Sequence, residues 1–513
     1  MGSPNHLIEE IPRREFLIKS LKGGTAIATT PTLLGYLLSS STISIGCATV
    51  SPEKEMLAKV LLKALVKGGD FAEVYIENRI SRSITMEESK FKSAVYGLSQ
   101  GAGVRVIAGD KTGYAYTEEI DEESLLRAAE IASYVAREGK AVQPVDLTKA
   151  SRESFVTVKL PLQDIADEKR MEIMQRSNQA ALEYDTRIKM ARINYYDEVK
   201  DRTIANSEGL YLSDSLPLLS YGVSSLGVGD RTRHMGSRSG SLRCGFEMFD
   251  IFTPEDIAKE AARESIAMLG AQDAPAGKMD VIIQNGWGGV LVHEAIGHPL
   301  EADNIAKKIG AFTGKHGQRV ASDVFTMVDD GTVPNQRGTI NFDDEGTQTK
   351  RNVLIENGVL RKYMSDILSA KQLNMERTGN GRRESFRNIP IPRMTNTFID
   401  KGKDDPEDII LSTKKGLYIQ SLSGGSVNSV TGQFNFSCRE AYLIENGKKT
   451  APVKGATLVG TSVEVISSVD AVGNDLDFGP GTCGKGGQSA EVSCGQPTVR
   501  IRGINVGGSR ASA

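Results

Sequence analysis

The strongest constraint in this sequence is a short segment that reads Val292-His293-Glu294-Ala295-Ile296-Gly297-His298. It places a carboxylate beside one imidazole and a second imidazole five positions later, in a chain with only 5 histidines. Imidazole is the commonest protein ligand for transition metals, and a neighbouring glutamate can take a proton from metal-bound water. The segment therefore predicts a hydrolytic metal site. Two unrelated histidines on a helix are the alternative.

The spacing of the two histidines also restricts the local backbone. In the related pattern HExxH the histidines are about 400° of helical rotation apart and share a face. Five positions correspond to about 500°, so an ideal helix would separate the rings by roughly 140°. We therefore expect either a wide turn, such as a π-bulge, or a break of the helix near Gly297.

Length and composition indicate a soluble globular protein. The chain has 513 residues, of which 39% are hydrophobic and 25% charged, enough for two or three domains with substantial cores. A net charge of −3 gives no general attraction to nucleic acid or to an acidic membrane surface. We expect no nucleic-acid partner.

The N-terminus has the features of an export segment. Arg13-Arg14-Glu15-Phe16-Leu17-Ile18-Lys19 resembles a twin-arginine signal, and residues 25–38 form an apolar run too short for a typical membrane span. A single amphipathic helix is the alternative. Ser44-Ile45-Gly46-Cys47 loosely resembles a lipidation site, which makes Cys47 a candidate lipid anchor. Residues 1–50 are thus expected to direct export, leaving no transmembrane span in the mature chain.

Residues 51–250 predict an N-terminal α+β domain. Hydrophobic periodicity indicates helices and strands that alternate along this part of the chain, which is typical of an antiparallel sheet covered by helices. The helices are predicted at 52–67, 122–136 and 164–183, and the strands at 71–77, 83–88 and 103–108.

Residues 251–513 predict a β-rich, barrel-like C-terminal domain that carries the metal site, so the fold class is α+β. A helix is expected to begin at Thr253-Pro254-Glu255-Asp256, because proline and acids favour a first turn. From about residue 320 onward short strands predominate, with short helices at 365–374 and 406–413. The four cysteines beyond residue 50 are too few for a disulfide scaffold.

A catalytic zinc ordinarily has three protein ligands and a water, so a third ligand is needed. Cys483 is a candidate because it lies in the glycine-dense stretch 479–487, expected to be a loop that approaches a metal closely. His316, Glu301 and Asp303 are the other candidates. An ordinary buried cysteine is the alternative for Cys483.

Several further runs occur in a fixed order along the chain. They are NFDDEGT at 341–347, TGNGRR at 378–383, PRMTNT at 392–397, EAYLIE at 440–445 and GTCGK at 481–485. Together with the histidine segment they resemble the TldD/PmbA peptidase family, sometimes called modulators of DNA gyrase, and specifically its TldD-type catalytic branch. The resemblance covers nearly everything after residue 50.

The resemblance implies a zinc peptidase. It places the metal ligands at His293, His298 and Cys483, with one zinc per chain, and the catalytic glutamate at Glu294. It also implies a dimer, formed either with a second copy or with a TldE/PmbA-type partner, that admits unfolded, extended peptides to an enclosed site. The partner branch lacks the histidine segment, so this chain resembles the active member.

Two polar stretches are candidates for substrate contact. Arg382 and Arg383 could bind a peptide backbone or carboxylate, or could form ion pairs with acids such as Asp343 and Asp344. The glycines Gly424 and Gly425 occur in a second stretch, 423–428, which could lie along a substrate as a loop.

These observations predict an exported zinc metallopeptidase with Glu294 as general base. Two alternatives stay open: a zinc amide hydrolase acting on small or cell-wall substrates, and a non-catalytic regulator. Export argues against a DNA-bound role, and the intact set of chemical groups argues against a non-catalytic scaffold. The export segment itself departs from the family pattern.

Overall fold

The computed structural model describes residues 26–28, 52–136, 145–428 and 431–508. The arginine pair at 13 and 14 and Cys47 lie outside these residues, so export and lipidation stay predictions. None of the helices in the described ranges has the length and apolar character needed to span a membrane. The cysteines at 244, 438, 483 and 494 are all free thiols.

The first part of the chain forms an 8-stranded, mainly antiparallel sheet. Its central path runs β1-β3-β2-β6-β7-β5, with β4 on β3 and β8 on β7. The strands are β1 (Ala26–Ala28), β2 (Phe71–Glu87), β3 (Lys90–Ala108), β4 (Lys111–Thr117), β5 (Thr148–Lys149), β6 (Ile188–Asn206), β7 (Leu210–Val228) and β8 (Arg233–Leu242).

Helices cover this sheet at two places and form separate cores. One core lies under α1 and α2, and the other lies under α3 and α5. The helices are α1 (Lys54–Leu65), α2 (Glu122–Ser133), α3 (Asp167–Tyr184), α4 (Met248–Ile251) and α5 (Pro254–Ala267). The predicted start of α5 is confirmed, since the Thr253 hydroxyl accepts a hydrogen bond from the Asp256 amide and Pro254 occupies the first turn.

The second part of the chain contains a closed barrel, as predicted. Strands β17, β10, β24, β20 and β18 pair in that order, and β17 also pairs with β18, which closes the ring. The strands of this sheet are β9 (Gln272–Asp273), β10 (Gly277–Ile283), β17 (Lys415–Val427), β18 (Gln433–Glu445), β19 (Lys448–Lys454), β20 (Thr457–Thr461), β21 (Val469–Val472) and β24 (Val499–Gly507).

A 6-stranded sheet lies beside the barrel, in the order β13-β12-β11-β16-β23-β22, and shares one large hydrophobic core with it. Its strands are β11 (Met327–Asp330), β12 (Arg351–Glu356), β13 (Val359–Leu360), β16 (Asn396–Ile399), β22 (Asp477–Lys485) and β23 (Gln488–Gln496). A short pair is formed by β14 (Gly381–Arg382) and β15 (Ile391–Pro392). The helices of this part are α6 (Val290–Val292), α7 (Ala302–Ala306), α8 (Ile367–Leu373), α9 (Pro406–Leu411) and α10 (Ser462–Ser467).

Two stretches predicted as loops are strands. Residues 477–485 form the edge strand β22, and residues 423–427 belong to β17. In β22 the glycines allow close packing, because a Cβ at Gly479 or Gly481 would meet atoms of Trp287 at 2.8 to 3.4 Å. Trp287, the single tryptophan of the chain, is therefore a packing residue.

Candidate metal centre

The histidine segment contains the predicted wide turn. Val290–Val292 is an α-helical turn, and His293–Gly297 continues it as a π-helix in which the His298 amide donates to the His293 carbonyl. The additional residue in the turn keeps both imidazoles on the same side. Their ring centroids are 5.4 Å apart with the planes at 83°.

Close backbone contacts fix the position of this helical segment. A Cβ at Gly289 would lie 2.4 Å from the Gly495 carbonyl oxygen in β23, so only glycine allows the helix to approach the strand. At the other side the Ser462 hydroxyl donates a 2.5 Å hydrogen bond to the Ala295 carbonyl, which the wide turn leaves available. The segment is thus anchored between the β22–β23 hairpin and α10.

Cys483 reaches the histidines from β22. It pairs across the hairpin with Ala490, and its side chain faces the shared core with only 2% of the residue exposed. The buried guanidinium of Arg393 donates to the carbonyls of Cys483 and Gln488 and so braces both strands of the hairpin.

The structure brings His293, His298 and Cys483 together. Their potential ligand atoms lie within 4.8 Å of one another, and the Cys483 Sγ is 3.2 Å from His298 Nε2. Of the other candidates for the third ligand, His316 is exposed, and its Nε2 is 2.8 Å from the Arg361 carbonyl. Asp303 forms an ion pair with Lys485.

Glu301 lies outside the three-residue cluster but contacts His298, one of its members. Its Oε2 lies 3.0 Å from His298 Nδ1 and 3.0 Å from the Lys485 ammonium, which also contacts Asp303 at 2.7 Å. An imidazole that donates its Nδ1 proton to a carboxylate presents a lone pair at Nε2. Glu301 therefore selects the His298 tautomer whose Nε2 faces Cys483.

The three clustered side chains strongly perturb one another. Burial raises the pKa of the Cys483 thiol, but His293 and His298 outweigh it and lower the pKa to about 4. Burial lowers the pKa of His298, but Glu301 and Cys483 outweigh it and raise the pKa to about 10. A thiolate beside imidazolium groups is the metal-free form of such a site, and a bound cation would displace the imidazolium protons.

The donor set fits a zinc ion. Nitrogen and sulfur donors are those zinc prefers, and two imidazoles with one thiolate leave a fourth tetrahedral position open. His293 Nδ1 is buried without a hydrogen-bond partner among the described residues. A buried ring nitrogen without a partner is costly, and a bound cation near this ring would be the simplest compensation.

Glu294 borders the cluster without belonging to it. One carboxylate oxygen is 3.7 Å from His298 Nε2, and the side chain is 27% exposed. The remaining residues of the π turn are buried. Glu294 is therefore the group of this turn that a water molecule and a substrate can both reach.

The two arginines proposed for substrate contact are buried in the protein. Arg383 pairs with Glu73 and donates to the Asp344 carbonyl, and Arg382 donates to the Met394 carbonyl. The contacts of Arg383 match the alternative in which this arginine forms ion pairs within the protein rather than binding substrate.

Gly424 is more open than the arginines. A Cβ at Gly424 would meet nothing within 4 Å, whereas one at Gly425 would lie 2.3 Å from the Asn435 carbonyl in the neighbouring strand. Substrate contact at these two glycines stays a prediction.

Sequence reasoning missed two residues near the cluster. Cys494 is buried on β23, and its thiol, with that of Cys483, raises the pKa of His293 against the effect of burial. Lys485 was noticed only as part of a motif, although it joins the hairpin to Glu301. The pairing of the hairpin strands explains why Cys494 is near the cluster. Cys494 pairs with Gly479, which is four positions from Cys483, so the two cysteine side chains point to the same face of the hairpin.

Comparison with known proteins identifies the family. Residues 72–136, 160–269 and 276–508 match the first, central and C-terminal domains of the PmbA/TldA metallopeptidases. The chain is 38% identical over 448 residues to a metalloprotease TldD homolog of Haemophilus influenzae, covering 86% of this chain and 93% of the relative. It is 27% identical to a zinc metalloprotease TldD homolog of Saccharolobus solfataricus, covering 88% and 99%.

Solved structures show the same fold. TldE from Thermococcus kodakarensis superposes with a TM-score of 0.73 at 19% identity, over 88% of this chain and 99% of that one. A Thermotoga maritima protein described as a modulator of a DNA gyrase gives 0.74 at 21% identity, over 88% and 99%. With the sequence match along all three domains, these findings establish that the chain belongs to the PmbA/TldA metallopeptidase family.

Proposed function

We propose that this protein is a zinc metallopeptidase that hydrolyses peptide bonds in extended, unfolded chains. The observation that carries the proposal is the convergence of His293, His298 and Cys483 within 4.8 Å, with the partly exposed carboxylate of Glu294 beside them. The names of the relatives support the metallopeptidase part, and one relative is named a zinc enzyme.

Zinc bound by these three residues would act as a Lewis acid on the scissile carbonyl and would lower the pKa of a water molecule. Glu294 takes the proton of the attacking water on its carboxylate and returns it to the leaving amine. Glu301 holds His298 in the required tautomer, and Lys485 keeps Glu301 ionised. The hydrophobic core behind His293 and Cys483 excludes other water from the metal side.

The substrate form is proposed from the family resemblance and from the surroundings of the π turn. Strand β17, which contains Gly424, packs against this turn. The open space above Gly424 would allow an extended backbone to pass. Main-chain pairing with an extended peptide depends little on side chains, which would give broad sequence tolerance. We propose a dimer as the active form, with a second copy or a TldE-type partner, because a TldE structure shares the fold.

The function is tested by the variant Glu294→Gln. We expect peptide cleavage to fall by about 10²–10⁴-fold, since the general base is removed, while the zinc content per chain stays at the wild-type value. Glu168→Gln is the matched control, because Glu168 is an exposed glutamate on α3. Undiminished cleavage by Glu294→Gln would refute the proposed mechanism, and failure of the wild type to cleave any unfolded peptide would refute the function.

A further inference from the structure

The carbonyl of Ala295 is a backbone group in the π turn that lacks its ordinary helical partner. In an α-helix this carbonyl would accept from the amide four positions later, but that position is Pro299, which has no N–H. The next residue, Leu300, lies in the 3₁₀ turn His298–Leu300, where hydrogen bonds join residues three apart. Ala295 is completely buried, and a buried carbonyl without a donor is unfavourable. The turn therefore needs a donor from another part of the fold.

Ser462, the first residue of α10, supplies that donor. Its hydroxyl oxygen is 2.5 Å from the Ala295 carbonyl oxygen, and the residue is completely buried. Among the residues that the structure describes, no other side chain hydrogen-bonds to the backbone of His293–Gly297. Ala295 directly follows Glu294 and lies between the two histidines. This one bond therefore holds the stretch of backbone that carries the carboxylate and both imidazoles.

Ser462 is itself held by the connection between β17 and β18. Its amide donates to the Gly432 carbonyl at 2.9 Å, and its hydroxyl oxygen lies 3.1 Å from the same carbonyl. A serine hydroxyl has one proton, and the shorter distance assigns this proton to Ala295. The φ of Gly432 is +73°, and a Cβ there would lie 2.8 Å from the Ser462 hydroxyl oxygen, so glycine permits this approach.

The burial of Ser462 separates its effect on rate from any effect on substrate binding. The side chain of Glu294 is 27% exposed, whereas Ser462 has no exposed surface. A substrate that reaches Glu294 therefore does not touch Ser462, which can act only through the backbone of the π turn. A displacement of a reacting group by about 1 Å can cost about 100-fold in rate.

We infer that Ser462 is a positioning residue for the reaction. Through its hydrogen bond to the Ala295 carbonyl it holds the π turn in the form that brings Glu294 and the two imidazoles to one place. The inference rests on the proposed function, in which Glu294 is the general base. Without the hydroxyl, the Ala295 carbonyl is buried with no donor, and the turn relieves this by rearranging.

The first test compares peptide cleavage by Ser462→Ala and by the wild type. We expect kcat to fall about 10- to 100-fold while KM keeps its wild-type value, because Ser462 does not touch the substrate. The matched control is Ser177→Ala. Ser177 is also completely buried, and its hydroxyl donates to the Pro254 carbonyl at 2.8 Å in the first part of the chain. This control loses a buried hydroxyl without changing the π turn, so its kcat should equal that of the wild type.

The second test measures amide hydrogen exchange in the full chain by mass spectrometry and needs no cleavage. We expect residues 293–298 to exchange faster in Ser462→Ala than in the wild type, while the β22–β23 hairpin exchanges at the wild-type rate. A variant that only lowered the stability of the whole fold would raise exchange in both segments. Ser177→Ala should leave the exchange of residues 293–298 unchanged.

Ser462→Cys is the second variant, and it decides the inference if Ser462→Ala does not fold. A thiol fills nearly the same space but is a weak donor, so kcat should fall and exchange at 293–298 should rise. Wild-type exchange at 293–298, or faster exchange with wild-type kcat, would overturn the inference. If the wild type cleaves no unfolded peptide, the proposed function fails, and the exchange result still decides whether Ser462 holds the turn.

Discussion

Glu301 is a buried carboxylate that contacts both His298 and Lys485. It has no exposed surface, and burial alone would raise its pKa. His298 and Lys485 outweigh burial and keep the pKa below its usual range. A buried carboxylate held ionised by two partners, one of which is a metal-ligand candidate, is the arrangement that orients imidazole ligands in metal sites.

Replacing Glu301 with glutamine should therefore weaken zinc binding. The amide keeps the size of the side chain but removes the charge that stabilises the Nδ1 proton of His298, so we expect an affinity about 10- to 100-fold lower. Competition with a chromophoric chelator measures this directly. Asp303→Asn is the control, because Asp303 contacts Lys485 but not His298. Equal losses in the two variants would contradict the orienting role of Glu301.

The sequence predicted part of the metal centre and could not predict the rest. His293, Glu294 and His298 lie within one turn, so local spacing alone indicated their chemistry and the wide turn. Cys483 is 185 positions from His298 in sequence, and its approach depends on how the hairpin packs against the helix. Sequence reasoning from the residues alone therefore left four candidates for the third ligand.

At the scale of elements, the helices were predicted more accurately than the strands. The predicted helix at 164–183 is observed as Asp167–Tyr184, because a buried stripe recurs with helical period. The predicted strands 71–77 and 83–88 are one continuous strand, Phe71–Glu87. Its middle part, residues 78–83, is half-buried on both faces, so the alternation that indicates a strand is weak there even though the backbone pairing continues.

The contact between Gly289 and β23 provides a test at this scale. A methyl group at position 289 would meet the backbone of Gly495 at 2.4 Å, and neither backbone can move without displacing the helix or the hairpin. We expect Gly289→Ala to destabilise the protein by about 1–3 kcal/mol and to weaken zinc binding as well. Thermal unfolding and chelator competition measure the two effects.

The matched control for this change is Gly270→Ala. A Cβ at Gly270 would meet nothing within 4 Å, and the residue is exposed. This variant should keep wild-type stability and zinc affinity. If Gly289→Ala behaved in the same way, the close approach of the helix to β23 would not position the metal ligands.

At the scale of the whole molecule, ion pairs join the first sheet to the second part of the chain. Arg105 pairs with Glu345 at 2.6 Å, and Arg202 pairs with Asp344 at 2.6 Å. These acids belong to the NFDDEGT run, whose role the sequence left undefined.

The helix α5 begins after residue 251 but packs on α3 and β8 of the first sheet. The predicted domain boundary at 250 and 251 remains a prediction.

Export is a prediction about the whole chain as it is made in the cell. If Arg13 and Arg14 direct twin-arginine transport, replacing both with lysine should keep the protein in the cytoplasm while the wild type appears outside it. Cell fractionation followed by immunoblotting measures the distribution. A change of two exposed arginines elsewhere, Arg127 and Arg192, to lysine is the control. A wild type that fractionates with the cytoplasm would contradict the prediction.

The proposed substrate form is tested on one protein in two states. An enclosed site admits only chains that can thread as extended strands, whereas a folded domain must first open at a cost of about 5–15 kcal/mol. We expect rapid cleavage of a disulfide-bonded protein after reduction and alkylation, and no cleavage of the same protein in its native form. Glu294→Gln with the unfolded form is the control for contaminating proteases. Equal rates on both forms would instead indicate an open cleft, because access to the metal would then not depend on unfolding.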